Sequence, residues 1–364
     1  MSELRKHTVL AGRYAIDYVI GAGGFGITYH AYRIEDGREV AIKEFFISGH
    51  CVRRSDNTTV TFQDLSREKF NKYRMRFHQE AQMLQQMNND HLVNVMQVFD
   101  ENGTSYMVMD YIKGETLQKR IERRGRMSYD DAVNCIGQLC DAVGYVHKRN
   151  ILHRDIKPDN IMITPQNKII LIDFGSARAF VHDAVQNHTT IVTHGYAPME
   201  QYSQGFPVGN YTDLYAVGGV FYFLLTGQKP PAAPDRAIHD QLIPPIAIRQ
   251  DVTPAANYTI LKALNTDSKA RYQTAQQLLC DLLGGDPGPG PGHGPGPGPD
   301  PDPDPTSTVL GFILAFIPFL CIIGLILSVQ GVKKNLKYEL AVAGTVISSM
   351  MTFASFIIFI NAVS

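Results

Sequence analysis

Short β-rich runs fill the first part of the chain, at 14–20, 28–34 and 39–44, and glycine-rich or Asp-Gly breaks at 21–26 and 36–37 separate them. The spacing then changes. Phe70, Tyr73, Phe77, Ala81 and Leu84 recur three and four residues apart, which predicts an amphipathic helix over 66–87. A strand at 105–109, a helix at 130–149 and a strand at 168–172 follow. The run 217–225 is apolar on every side but too short to cross a bilayer, so it reads as the buried helix of a globular domain. Two further runs, 309–329 and 340–360, are uncharged and of the length a membrane span needs, roughly 20 residues. With no polar face left over, they read as two transmembrane helices.

A stretch of another composition separates the two styles of chain. Residues 284–307 hold nine of the 20 prolines, between Pro287 and Pro305, alternating with glycine and then aspartate. Such a segment cannot bury apolar area and lacks backbone donors, so it reads as a disordered Gly/Pro/Asp linker, reaching on the order of 60 Å if extended. Glycine at period two rather than three excludes collagen. The expected organisation is a globular domain at 1–283, the linker at 284–307, and a membrane anchor at 308–364.

Lys+Arg total 34 against 35 Asp+Glu, which gives no reason to expect a nucleic-acid partner. The five cysteines, Cys51, Cys135, Cys140, Cys280 and Cys321, form neither a CxxC pair nor a His/Cys cluster, pointing to a reducing compartment without structural zinc. The N-terminus has charges but no apolar segment, so no signal peptide is expected. Topology carries a conflict. Lys333, Lys334 and Lys337 lie between the spans, and Asp300, Asp302 and Asp304 lie on the linker side, so the positive-inside tendency would export the globular domain.

The most informative string is HRDIKPDN at 153–160. It places a base (Asp155), a cation (Lys157) and a metal-binding amide (Asn160) in one turn. Phosphoryl transfer needs such positioning and charge neutralisation more than covalent help. Eighteen residues after Asp155 comes Asp173-Phe174-Gly175. Upstream lie GAGGFG at 21–26 and VAIKEFF, whose Lys43 sits in an apolar strand where an unpaired ammonium would be costly. Glu80, on or beside the apolar face of the 66–87 helix, is its best partner.

These motifs, in this order over about 270 residues, resemble the eukaryotic-type (Hanks-type) serine/threonine protein kinases of bacteria. The strings GGFGITY, AIKEFF and GYAPMEQY are similar to a membrane-bound bacterial subgroup. The resemblance implies an α+β bilobal fold, with a small β-rich N-lobe over about 1–112 and a larger helical C-lobe over 113–283. It implies ATP with Mg²⁺ (Mn²⁺ as an alternative), and serine or threonine hydroxyls of proteins as acceptors. Asp155 would be the base, Lys157 would neutralise the transferring group, and Asn160 and Asp173 would hold metal. Gly21, Ala22, Gly23, Gly24 and Gly26 would cover the phosphates that Lys43 binds. Thr28, where a valine is usual, would form the adenine slot with Ala41, Met109 and Met162, beside the Asp110–Ile112 hinge. Glu200 in YAPME would pair with Arg271. Asp213 would anchor the catalytic loop through its backbone amides, and Thr193 would contact that loop. Arg154 would meet a phosphate on Thr189 or Thr190, which phosphopeptide mapping of active protein tests. The extended connection at 48–67 has no chemical assignment.

The expected activity is thus that of a protein kinase at the cytoplasmic membrane face, its bilayer partner held by two spans and its kinase domain in the cytosol with the ATP. Gly311, Gly324 and Gly344 would permit close helix packing in a homodimer that autophosphorylates, although none forms a GxxxG pair. The alternative is a pseudokinase, a membrane-tethered nucleotide-binding or scaffold module. A small-molecule kinase of similar fold is disfavoured by YAPME, an element that docks peptides.

Overall fold

The computed structural model describes residues 3–174, 194–202 and 206–284. Gly175, Thr189, Thr190, Thr193, the linker from residue 285 on and both apolar runs of the C-terminal region lie outside the described residues. Among the described residues no helix is long and apolar enough to cross a membrane.

The β-rich part begins with β1 (Val9–Leu10), β2 (Tyr14–Ala22), β3 (Gly26–Arg33) and β4 (Glu39–Phe45). A small hairpin follows, made of β5 (Cys51–Arg53) and β6 (Val60–Phe62). Helix α1 (Arg67–Gln85) then leads to β7 (Val95–Glu101) and β8 (Thr104–Asp110). Six of these strands form one antiparallel sheet in the order β1-β2-β3-β4-β8-β7. The register aligns Lys43 with Thr28 on one side and Met107 on the other. Helix α1 starts where Ser66 accepts a hydrogen bond from the Lys69 amide, satisfying one of the donors a helix start leaves over. It buries Phe70, Tyr73, Phe77, Glu80, Ala81 and Leu84, the expected face.

The helical part opens with β9 (Glu115–Thr116), α2 (Leu117–Arg124) and α3 (Tyr129–His147). Next come β10 (Ile161–Ile163) and β11 (Ile169–Leu171), then α4 (Asn210–Thr226), α5 (Ala233–Ile238), α6 (Pro245–Ile248), α7 (Pro254–Ala263) and α8 (Ala275–Leu283). Helix α3 stops two residues short of the expected 149, because the chain turns at Asn150, which takes a left-handed φ of 59°. The expected strand at 168–172 is trimmed to three residues, paired with β10. Helix α4 is buried from Thr212 to Thr226 and contains the apolar run 217–225. The two parts form the small β-rich lobe and the larger helical lobe of a bilobal fold.

The segment at 48–67 proves to be the β5–β6 hairpin, seated on a buried polar cluster. Glu44 and the Arg53 side chain, 0% and 2% exposed, form a salt bridge. Tyr29 Oη donates to Glu44 at 2.8 Å, and Tyr106 Oη does so at 3.0 Å. Burial, and then the Glu44 charge, push both tyrosine hydroxyls well above their ordinary pKa, so they stay protonated and donate.

Candidate active site

A cleft with about 680 Å³ of empty space, part of it open to solvent, is lined by residues of both lobes. Ile20, Thr28, Ala41, Leu84, Val93, Met107, Met109, Met162 and Ile172 make most of it apolar. Asp110, Tyr111 and Ile112 border it where β8 leaves the sheet, and Lys43, Glu80 and Asp173 bring charge. A flat heteroaromatic ring with phosphates at one end suits this division of apolar slot and charged end. The sequence reading names Thr28, Ala41, Met109, Asp110, Ile112 and Met162, and all of them line the cleft. It misses Ile20, Leu84, Val93, Met107 and Ile172, whose apolar character in strands and a helix is indistinguishable from core packing.

The glycine segment joins β2 to β3. The Gly23 amide donates to Gly26 O at 2.9 Å, closing the turn. A Cβ added at Gly24 would meet nothing within 4 Å, whereas one at Gly26 would lie 2.8 Å from the Glu44 carbonyl oxygen. Gly21 and Gly24 thus leave open space where a phosphate could approach the backbone, and Gly23 has only the Gly26 carbonyl near it. Gly26 has a different reason to be glycine, the close approach of β4. None of Gly21, Ala22, Gly23, Gly24 and Gly26 belongs to the apolar lining itself.

Lys43 sits on β4 with its side chain 17% exposed, and its ammonium donates to Asp173 Oδ1. The sequence reading pairs Lys43 with Glu80; the structure gives the hydrogen bond to Asp173, and Glu80 lines the same cleft. Burial opposes the Lys43 charge, but the carboxylates of Asp173 and Glu80 outweigh it and hold the ammonium above its ordinary pKa. Burial likewise works against the Asp173 carboxylate, and Lys43 overrides it, holding Asp173 below the usual carboxylate range. Both groups therefore remain charged at neutral pH.

The catalytic loop is held from beneath by Asp213 near the start of α4. Its Oδ1 accepts the Arg154 amide at 2.7 Å, and its Oδ2 accepts the His153 amide and His147 Nε2, both at 2.8 Å. These bonds hold Arg154 at a φ of 63°, a left-handed conformation that costs a side-chain-bearing residue energy. Burial pushes the His153 imidazole down toward neutrality, and its ring packs 4.4 Å from that of Phe174. Within the loop, Asn160 Nδ2 donates to the Asp155 carbonyl at 2.8 Å and to Asp155 Oδ2 at 2.9 Å. Lys157 Nζ lies 3.0 Å from the same oxygen. The Ile172 amide donates to Asn160 O at 2.8 Å, tying the loop to the segment that carries Asp173.

An amide oxygen and a carboxylate, Asn160 and Asp173, form a hard-oxygen donor set that fits Mg²⁺, an ion that keeps waters and shares phosphate oxygens rather than filling an all-protein cage. Among the described residues no cluster of three or more His, Cys, Asp or Glu side chains could hold a metal alone. Farther along, Arg271 and Glu200 form a buried pair, Nη1 to Oε1 at 2.7 Å and Nη2 to Oε2 at 3.3 Å, with Thr212 Oγ1 donating to the same Glu200 Oε1. Gln201 Nε2 donates to the Arg154 carbonyl at 3.2 Å, linking the YAPME turn to the catalytic loop.

Comparisons with known proteins agree with this geometry. A family model described as the protein kinase domain matches residues 47–288. A probable serine/threonine-protein kinase of Clostridium acetobutylicum is 30% identical over 281 residues, covering 76% of this chain and 40% of the relative. The serine/threonine-protein kinase PknB of Mycolicibacterium smegmatis is 31% identical over 287 residues, 75% of this chain and 43% of the relative. The chain thus spans about two fifths of the length of these curated relatives. The apo form of PpkA-294 superposes with a TM-score of 0.71 at 30% identity, covering 78% of this chain and 100% of that one. The kinase domain of Mycobacterium tuberculosis PknI, at 20% identity and a TM-score of 0.55, shares the fold. With a bilobal fold, a charged cleft between its lobes and a family match across most of the described residues, the chain belongs to the protein kinase family.

Proposed function

We propose that the chain is an ATP-dependent serine/threonine protein kinase, anchored in the cytoplasmic membrane with its kinase domain on the cytosolic face. The observation that carries the activity is the meeting of Asp155, Asn160 and Asp173 around one tied loop, with Lys43 bonded across the cleft to Asp173. Bound Mg²⁺, held by Asn160 and Asp173, would neutralise charge on the phosphates of ATP. Lys43 has a charge held in place to receive the inner phosphates. Lys157 sets a second cation beside the Asp155 carboxylate, where the transferring group must pass. Asp155 would orient the acceptor hydroxyl and take its proton. A pseudokinase commonly lacks one of these groups; here Lys43, Glu80, Asp155, Asn160 and Asp173 are all present.

The anchoring half of the proposal rests on the two uncharged runs at 309–329 and 340–360, joined to the kinase domain by the Pro-rich segment. The lysines between the runs favour the opposite orientation, but the cytosolic location of ATP outweighs that tendency. The activity is tested on the full chain with labelled ATP, Mg²⁺ and a serine- and threonine-containing protein. Label is expected on the acceptor with the wild-type chain and not with Asp155→Asn. Absence of label with the wild-type chain refutes the reading.

A further inference from the structure

The β5–β6 hairpin and the segment leading into it contact the glycine turn, β4, α1 and the β7–β8 turn. At its entry the Phe46 amide donates to Phe25 O at 3.3 Å and the Ser48 amide to Gly24 O at 2.9 Å, so the tip of the glycine turn is tied to the segment that becomes the hairpin. Both bonds use carbonyl oxygens of the turn, the groups a phosphate does not need. On β5, Arg53 reaches Glu44, the neighbour of Lys43 on β4, and also donates to Tyr29 Oη at 3.1 Å and Thr58 O at 2.8 Å. Consecutive strand residues face opposite ways, so Arg53 grips β4 from behind while Lys43 faces the cleft.

The far side of the hairpin reaches α1. Phe62 on β6 stacks on Phe70 of α1, with ring centroids 4.6 Å apart and planes at 20°. Phe45, next to Glu44, packs against Phe70 at 5.5 Å and Phe77 at 5.8 Å. Phe77 is one turn before Glu80 on the same helix. The Val60 amide donates to Asn102 O at 2.7 Å. At Gly103, where φ is +75°, an added Cβ would lie 2.8 Å from the Val60 carbonyl oxygen, so the β7–β8 turn is shaped to receive the hairpin.

We propose that the β5–β6 hairpin is an internal clamp that holds helix α1 and the glycine turn against β4, with Phe62 and Arg53 as positioning residues that set Glu80 beside Lys43. The inference rests on the kinase reading, since it assigns the clamp an effect on phosphoryl transfer. A phenylalanine pair and a buried guanidinium, rather than a separate subunit, would then fix the helix whose carboxylate the reaction needs.

The test is a double-mutant cycle on the full chain with ATP, Mg²⁺ and a serine peptide. Phe62→Ala is expected to lower kcat by about 10²-fold, the scale of a small misplacement remote from the chemistry, with KM for the peptide unchanged. Glu80→Gln alone lowers kcat, and Phe62→Ala added to it lowers kcat no further, because the clamp acts through Glu80. Amide exchange along 67–85 rises in Phe62→Ala. Val52→Ala, on an exposed position of the same hairpin, leaves kcat unchanged. Losses that multiply in the double variant, or an unchanged kcat in Phe62→Ala, overturn the clamp. If Phe62→Ala does not fold, Phe62→Leu replaces it and the cycle is judged by the same two outcomes. A wild-type chain that transfers no phosphate refutes the kinase reading instead, and the clamp's effect on transfer falls with it.

Discussion

Replacing Asp213 by asparagine changes almost no volume and removes one acceptor from the point where three donors meet. The two backbone amides of His153 and Arg154 arrive on different oxygens, and His147 shares the oxygen that His153 uses. Asparagine can offer a carbonyl to only one side. On the other, its NH₂ group faces a donor. If the amide oxygen takes the place of Oδ2, the Arg154 amide is orphaned; if it takes the place of Oδ1, the His153 amide is, while the His147 ring can change tautomer and accept from the NH₂ group. A hydrogen bond to a charged group contributes about 1.5–3 kcal/mol, and an orphaned buried donor costs about 1–3 kcal/mol. Asp213→Asn should therefore destabilise the domain by roughly 3–5 kcal/mol, a large fraction of the 5–15 kcal/mol typical of a folded domain. With one of the two loop amides released, the turn at Arg154 loosens and Asp155 moves with it, so kcat should fall by about 10²-fold or more. The denaturant midpoint and kcat, measured on the same preparation, check both figures. A stability loss below about 0.5 kcal/mol, the range of neutral surface changes, together with an unaltered kcat would refute the reasoning.

The buried pair of Glu200 and Arg271 gives a second prediction. Arg271→Met leaves the Glu200 carboxylate uncompensated and drops the bonds to Asn265 O and Thr266 O, so the denaturant midpoint should fall by the equivalent of about 3–5 kcal/mol; the double variant Glu200→Gln/Arg271→Met should recover part of that loss. The proposed membrane anchoring is checked by fractionation: the full chain should sediment with membranes, and a chain ending at residue 307 should remain in the supernatant.

Much of the site was legible because kinase chemistry packs its residues into short strings. HRDIKPDN holds the proposed base, cation and metal ligand within eight positions, and the loop bonds among Asp155, Lys157 and Asn160 span only two to five residues. Helix α1 was legible from its apolar spacing, although its cap, Ser66, was not singled out. The β5–β6 hairpin was not, because its strands are three residues long and its anchors are remote in sequence: Arg53 to Glu44 is nine residues apart, and Tyr106 to Glu44 is 62. One signal was available. Glu44 stands among apolar neighbours in AIKEFF, and a carboxylate on the buried face of a strand demands a partner. The bond from Lys43 to Asp173 joins residues 130 positions apart, so charge alone could not choose between Asp173 and Glu80.

Asp155 is the group proposed to act in transfer rather than in binding. The deciding measurement is a single turnover of the full chain, preloaded with γ-labelled ATP and Mg²⁺ and mixed with a serine peptide, for wild type and Asp155→Asn. Nucleotide affinity should be the same in both, while transfer to the peptide should be lost with asparagine. Transfer that survives Asp155→Asn, or a wild-type chain that binds ATP and never transfers it, would contradict the account.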